Sequence, residues 1–378
     1  MIAIGVCRTC LGLATAASLS LSGLGGRLPL IEDQRSGGES RLQATTAAGA
    51  GGGSPSLVAQ EGRGAFAVSA DYRYRIVGRV RLLLFWVSSD NVGGARATVR
   101  TREDGARALA LLIGSDPAKA PRGINEWGYI REEERGEASV AFGVRSITDA
   151  DSLDEAEARL ASGAGPALYG AICSMTGLAT AEAWVTSVRA GRDVTYRQFG
   201  GLLEVLAASR RWERRQTARS EGAAPGLLTA LERMIHAGTE AVRGGEPWPP
   251  RIAPIVYVYK GAEYDLRLQT LERVGQLRTR SRTFRDLVKG EYAIRNRATG
   301  HVTRFSVTHG LTDALANVPV HATFQPNWWF KIELQLEEGL DVPRDPADEA
   351  AVLARIDQIC ARASAADRRP PGEQAGAR

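Results

Sequence analysis

Lysine is almost missing: of 48 basic residues in this 378-residue chain only four are lysines, Lys119, Lys260, Lys289 and Lys331. An arginine excess of that kind, alongside abundant Ala and Gly, is what a GC-rich genome writes into any protein. The net charge of +5 and the pI near 9.1 therefore do not by themselves announce a nucleic-acid binder. The basic residues are spread rather than gathered, and nucleic acid is not an expected partner. Cysteine is scarce as well, at four residues, which excludes a disulfide-dense miniprotein. No run approaches the ~20 apolar residues that a bilayer core demands, so no transmembrane span is expected in the mature chain. Catalytic signatures are missing too. There is no G-x-S-x-G elbow, H-E-x-x-H pair or Walker loop, and no G-x-G-x-x-G in a strand-to-helix setting. No cofactor is implied. What remains, 44% hydrophobic and 24% charged residues, is the mixture of an ordinary globular protein with an unstapled core.

Residues 1–26 carry one charge, Arg8, ahead of an uncharged Leu/Ala/Ser/Gly stretch with Ala14-Thr15-Ala16 as a small-x-small cleavage site. This reads as a signal peptide and predicts a periplasmic or secreted bacterial protein. Residues 27–64 are too poor in large apolar side chains to hold a structure and are expected to be a disordered linker. Residues 366–378 are expected to be a disordered tail. Cys7 and Cys10 would leave with the leader. Cys173 and Cys360 would then be available for one disulfide, or would remain two buried thiols.

Residues 65–149 alternate with period two, the pattern of half-buried strands. Tyr72, Tyr74, Ile76, Val80, Leu82, Leu84 and Trp86 fall on one face, and Asp71, Arg73, Arg75, Arg79 and Arg81 on the other. From Leu82 to Val87 both faces are apolar, which predicts a strand entering a covered centre, with Gly78 marking a bulge. Further strands are expected at Ala95 to Arg102, Ala106 to Ile113, Trp127 to Glu133 and Ala138 to Val144. Residues 150–245 change period and are read as a helical insertion. Ser152 to Glu155 and Thr195 to Gln198 have the form of capping boxes, and Pro225 opens a helix that Gly244-Gly245 closes. Residues 246–340 alternate again, with Ala298-Thr299-Gly300 as a hairpin loop and a strict strand over Trp328 to Glu337. Residues 341–365 form an amphipathic C-terminal helix expected to cover a sheet face or edge.

Strands, then helices, then strands give an α+β fold. The two β sections are expected to join in one strongly curved antiparallel sheet, as a half-barrel, barrel or sandwich, with a central helical insertion and a C-terminal covering helix. The function expected is that of an exported, non-catalytic binding protein for a lipid-like, apolar or amphipathic ligand, or for an envelope protein. An envelope-acting hydrolase with Asp90 or Asp116 and His309 as acid and base is the alternative, and a structural or interaction protein the third. Polar side chains beside indoles at strand ends make a ligand mouth, which nominates Trp86, Asp90, Asn91, Asn125, Trp127, His309 and Trp329 as ligand-binding residues. His301, His309 and His321 lie close in sequence, but strand histidines are more often plain surface residues, and no metal site is assigned. The acidic run Glu132 to Glu134 reads as a solvated strand edge.

Overall fold

The computed structural model describes residues 66–82, 85–120, 123–134, 139–147, 170–177, 182–189, 194–198, 213–216, 220–245, 252–259, 261–327 and 330–342. The signal peptide, linker and tail read from the sequence lie outside the described residues, as do the Ser152 capping box, the C-terminal helix beyond Val342, and Cys360. Cys173 lies on a described strand, with its side chain outside the description.

The described strands are β1 (Ala67–Leu82), β2 (Phe85–Thr101), β3 (Arg107–Ser115), β4 (Trp127–Glu134), β5 (Val140–Ile147), β6 (Gly170–Gly177), β7 (Glu182–Arg189) and β8 (Glu213–Gln216). The helix α1 (Leu227–Gly244) follows, then β9 (Ile255–Tyr259), β10 (Ala262–Arg278), β11 (Thr283–Asn296), β12 (Val302–Gly310), β13 (Pro319–Asn327) and β14 (Phe330–Leu336). All fourteen strands form one sheet in the order β8-β7-β6-β5-β4-β3-β2-β1-β14-β13-β12-β11-β10-β9. Every ladder in it is antiparallel. The two β sections join where β1 meets β14, in a register running from Tyr74 opposite Leu336 to Val80 opposite Phe330.

The period-two faces show how this sheet curls. Tyr74 and Ile76 of β1, Ile113 of β3, Ile130 of β4, Leu266 of β10, Phe305 of β12 and Ile332 of β14 all belong to one buried cluster. Met234 and Ile235 of α1 belong to it as well. Side chains from strands so far apart in the order share one core only if the sheet wraps around on itself, so the architecture is a nearly closed antiparallel barrel rather than a sandwich. The free ends of the order, β8 and β9, are consecutive in the chain, and α1 lies between them in sequence and packs on β3, β9 and β10. The segment leading into α1 adds a parallel bridge from Ala224 to Tyr257. α1 carries Met234 and Ile235 into the buried cluster and leaves Arg233, His236, Glu240 and Arg243 exposed.

Two expectations need correction. Residues 150–245 are not wholly helical: β6, β7 and β8 continue the meander from β5, and within this span α1 is the helix among the described residues. The covered centre is not at Leu82 to Val87, because β1 turns back into β2 there and Trp86 and Val87 are 41% and 51% exposed. The sheet is buried on both faces at β3 to β5 instead, where Leu112, Trp127, Tyr129, Phe142 and Val144 form a second apolar layer on the outer side. Asp90 to Val92 forms a bulge within β2, opposite Gly78, with Asn91 in the left-handed region at φ 60°.

Candidate functional site inside the barrel

α1 is amphipathic, burying Ala230, Met234, Ile235, Ala241 and Val242, and it ends as its glycines foretell: Gly245 adopts φ 70° and returns its N–H to the Ala241 carbonyl. Its start is unusual. Gly226, at the N-cap, has no side chain to offer, and the first amides are satisfied from across the barrel by Glu132 of β4. The Glu132 carboxylate accepts hydrogen bonds from the backbone N–H of Leu228 at 2.8 Å and of Thr229 at 2.7 Å. A Cβ on residue 226 would collide with that carboxylate, so glycine is required for the approach. Burial pushes the Glu132 carboxyl up to about 7, against the two backbone hydrogen bonds that favour its charged form. Beside it Tyr257 stacks on Tyr264 with ring centroids 5.3 Å apart.

The acidic run is therefore no solvated edge. Glu132 and Glu133 are both buried, Glu133 accepting a hydrogen bond from Arg131 at 2.8 Å on the outer face, and Glu134 pairs with Arg233 of α1. Period two sends 132 inward and 133 outward.

At the far end of α1 the interior is polar in a second place. His309 is fully buried on the row of Phe305 and Val307, with Nδ1 3.4 Å from the Gly310 carbonyl and Nε2 without a hydrogen-bond partner. Burial pulls it down to about 4, so the ring is neutral at ordinary pH. Tyr292 stacks on Phe305 at 5.3 Å and leans over Gly290, where a Cβ would lie 2.6 Å from its hydroxyl. Gly290 is two residues from Val288, the partner of His309 across the ladder. α1 crosses this region, since Asn317 Nδ2 lies 3.4 Å from His236 Nδ1 and Arg243 donates to the Leu311 carbonyl. Thr239, fully buried between those two helix positions, also leaves its hydroxyl unpartnered, as does Tyr292. Each such polar group, buried among apolar side chains, costs about 1–3 kcal/mol if nothing meets it.

Of the residues nominated from sequence, His309 alone lies in this interior. Asn125 and Trp127 are structural: Asn125 Nδ2 at 2.9 Å and Trp127 Nε1 at 3.1 Å both donate to the Val194 carbonyl, clamping segment 194–198 onto the outer layer. Tyr196 of that segment covers Gly114, where any side chain would strike its ring. Thr195 and Gln198 make the reciprocal contacts of a capping box, Gln198 Oε1 accepting the Thr195 amide at 3.2 Å and Thr195 Oγ1 that of Arg197 at 3.2 Å. Asp90 is exposed and pairs with Arg280 at the tip of the β10–β11 hairpin, and its neighbour Asn91 sits in the bulge. Asp116 accepts from the Ala118 amide and faces Lys119. Trp86 is exposed at the β1–β2 turn, and Trp329 lies outside the described residues. His321 pairs opposite Thr308 and faces outward to Glu333 at 3.5 Å, away from His309, while His301 is exposed in the β11–β12 hairpin. Among the described residues no three metal-ligating side chains converge.

Fold and site together define a class: a nearly closed antiparallel β-barrel with one amphipathic helix packed into its core, and isolated polar groups among apolar ones. No family model matches the chain, and no curated protein matches it. Among solved structures it is similar to the crystal structure of a beta-barrel-like protein of domain of unknown function DUF1849 from Brucella abortus. That similarity has 6% identity, 72% of this chain and 98% of that chain covered, and a TM-score of 0.31.

Proposed function

We propose that the chain is a non-catalytic binding protein of the bacterial envelope whose barrel takes a small apolar or amphipathic ligand. The carrying observation is the trio of unpartnered polar atoms, His309 Nε2, Tyr292 Oη and Thr239 Oγ1, set in an otherwise apolar interior. A ligand with an apolar body and one hydroxyl or carbonyl end answers both requirements, because few oriented polar groups among many apolar ones fix a ligand without charge. An Asp/His hydrolase has no comparable support. His309 is sealed inside, whereas Asp90 and Asp116 are held by Arg280 and by Lys119. Export follows from the leader composition of residues 1–26.

Titration with an anilinonaphthalene fluorophore tests the reading. The wild-type barrel should bind the probe, and Thr239→Leu with His309→Leu, which fills and depolarises the region, should weaken binding by tenfold or more. Equal binding by the variant, or none by the wild type, would remove it.

A further inference from the structure

β10 and β11 are 17 and 14 residues long, whereas β12 and β13 have nine each. The excess length has no sheet to lie in. β9 pairs with β10 only from Ala262 to Leu266, and β12 pairs with β11 only from Leu287 to Arg295. From Val274 and Leu287 outward, among the described residues, the hairpin is a two-stranded ribbon whose ladder runs only between its own strands. Such a ribbon is marginal unless something else holds it.

This ribbon is held by the far wall of the barrel. Val274, Leu277, Phe284 and Leu287 pack in the cluster that contains Tyr74 and Ile76 of β1 and Val92 of β2. At the tip, Arg280 pairs with Asp90 of β2, and Arg282 with Glu338, just past β14. In the sheet order β12, β13, β14 and β1 separate β11 from β2. A hairpin reaches past four strands only by crossing an end of the barrel, so the ribbon spans that mouth with its apolar side beneath. Under its base lies the interior site, because Val288, the residue after Leu287, pairs with His309.

Both ends of the ribbon are built to let go. At the base, Gly275 and Asp286 stand between the pairs Val274–Leu287 and Gln276–Arg285. A side chain at Gly275 would meet nothing, and glycine weakens a strand interior. Asp286 adopts φ 53°, a left-handed conformation that is uncommon outside glycine and that collects at switch regions. On the fixed side of these two residues, Arg273 donates to the Val242 carbonyl of α1 at 3.0 Å. At the tip the two ion pairs are solvent-exposed, Arg280 and Asp90 by 60% and 46%, and contacts of that kind contribute little and are screened by salt.

We infer that residues 274–287 form a flap over the barrel mouth, hinged at Gly275 and Asp286 and latched by Arg280–Asp90 and Arg282–Glu338, whose opening admits an amphipathic ligand to the His309 side of the interior. The purpose of the motion rests on the binding reading above; the motion itself does not. Flaps of this construction admit a ligand and then shut out water. An apolar ligand body would restore the contacts that Leu277 and Phe284 give up on opening, so occupancy and closure are coupled.

Amide exchange of the full chain reads the motion without any ligand. Arg280→Ala with Arg282→Ala should raise exchange over residues 274–287 by about threefold or more, and high salt should do the same to the wild type, with residues 288–295 unchanged. Arg282→Ala alone serves, with a smaller rise, if the double variant does not fold. Stopped-flow mixing with the anilinonaphthalene fluorophore reads the consequence. Association should be faster in the unlatched variant. In Asp90→Cys with Arg280→Cys, joined by a bis-maleimide with a reducible bridge, it should slow by about tenfold or more and recover on reduction. Wild type and the two single-cysteine variants, treated alike, are the controls. Four results overturn the flap: equal exchange over 274–287 in wild type and unlatched variant, a uniform rise over 274–295, failure of the two cysteines to join, or an association rate that the linker leaves unchanged. No probe binding by the wild type would remove the interior reading alone, and the exchange result would still decide the flap.

Discussion

At the scale of the residue, the acidic run Glu132-Glu133-Glu134 shows what a sequence pattern hides. Its alternation was legible. Its burial was not, because the group that buries Glu132 is the start of a helix 95 or so positions downstream, and no local signal announces that contact. Replacing Glu132 by Ala leaves two helix amides unmet in the interior and should lower stability by about 2–3 kcal/mol, read from denaturant midpoints. The pH dependence separates this residue from His309. Glu132 has a raised folded-state value of about 7, so its linked term stabilises the fold at low pH and is lost as pH rises from about 4.5 to 7. His309, depressed to about 4, does the reverse, adding stability as pH rises from about 4 to 6.5. The two slopes oppose each other, and the wild type should be nearly flat from pH 5 to 6.5 at about zero net slope. Glu132→Gln should uncover a rising slope of up to about 1.4 kcal/mol per pH unit there, and His309→Leu a falling one. Melting across that window, with no slope in either variant, would contradict both environments. Glu333 acts lower down. Burial would raise its carboxyl, but hydrogen bonds from His321 and Lys331 hold it down at about 2, so the stability it contributes is present above about 4.5 and is lost as pH falls toward 2.

At the scale of the element, β1 and β10 were readable because charged side chains alternate with apolar ones along them. β3, β4 and β10 to β12 overlap the segments the period marked, whereas the alternation read as one strand from Tyr72 to Trp86 belongs to two, β1 and the start of β2, and the meeting of the two β sections at β1 and β14 was foreseen as one curved sheet. β6 and β7 were missed for a physical reason. GAICSMTG and EAWVTSVR are short and rich in Gly, Ala, Ser and Thr, and what makes them strands is the ladder each finds on its neighbour. α1 was readable at both ends through Pro225 and Gly245, while its cap was not. The clamp on segment 194–198 yields a further prediction. Gly114→Val drives a side chain into the Tyr196 ring and should cost more than about 2 kcal/mol. It should also raise amide exchange over residues 194–198 while β10 to β12 stay protected; uniform exchange changes would contradict a local clamp. By contrast the Arg280–Asp90 pair is exposed on both sides, and Arg280→Ala should shift the thermal midpoint little.

At the scale of the whole molecule, the curling of a fourteen-strand sheet against one helix buries three unpartnered polar atoms among apolar side chains. Of the candidate site only His309 was legible in advance. Tyr292 and Thr239 sit on β11 and α1, which meet only when the sheet curls, and Trp86 lies exposed at the start of β2. The central claim is that the interior holds a small amphipathic molecule. The measurement that tests it most directly is native mass spectrometry of the protein purified from a bacterial envelope fraction, compared with its denatured mass. The account predicts a lipid-sized adduct that leaves on denaturation and is lost in the Thr239→Leu, His309→Leu variant. A native mass equal to the bare chain, with no adduct in either protein, would contradict it.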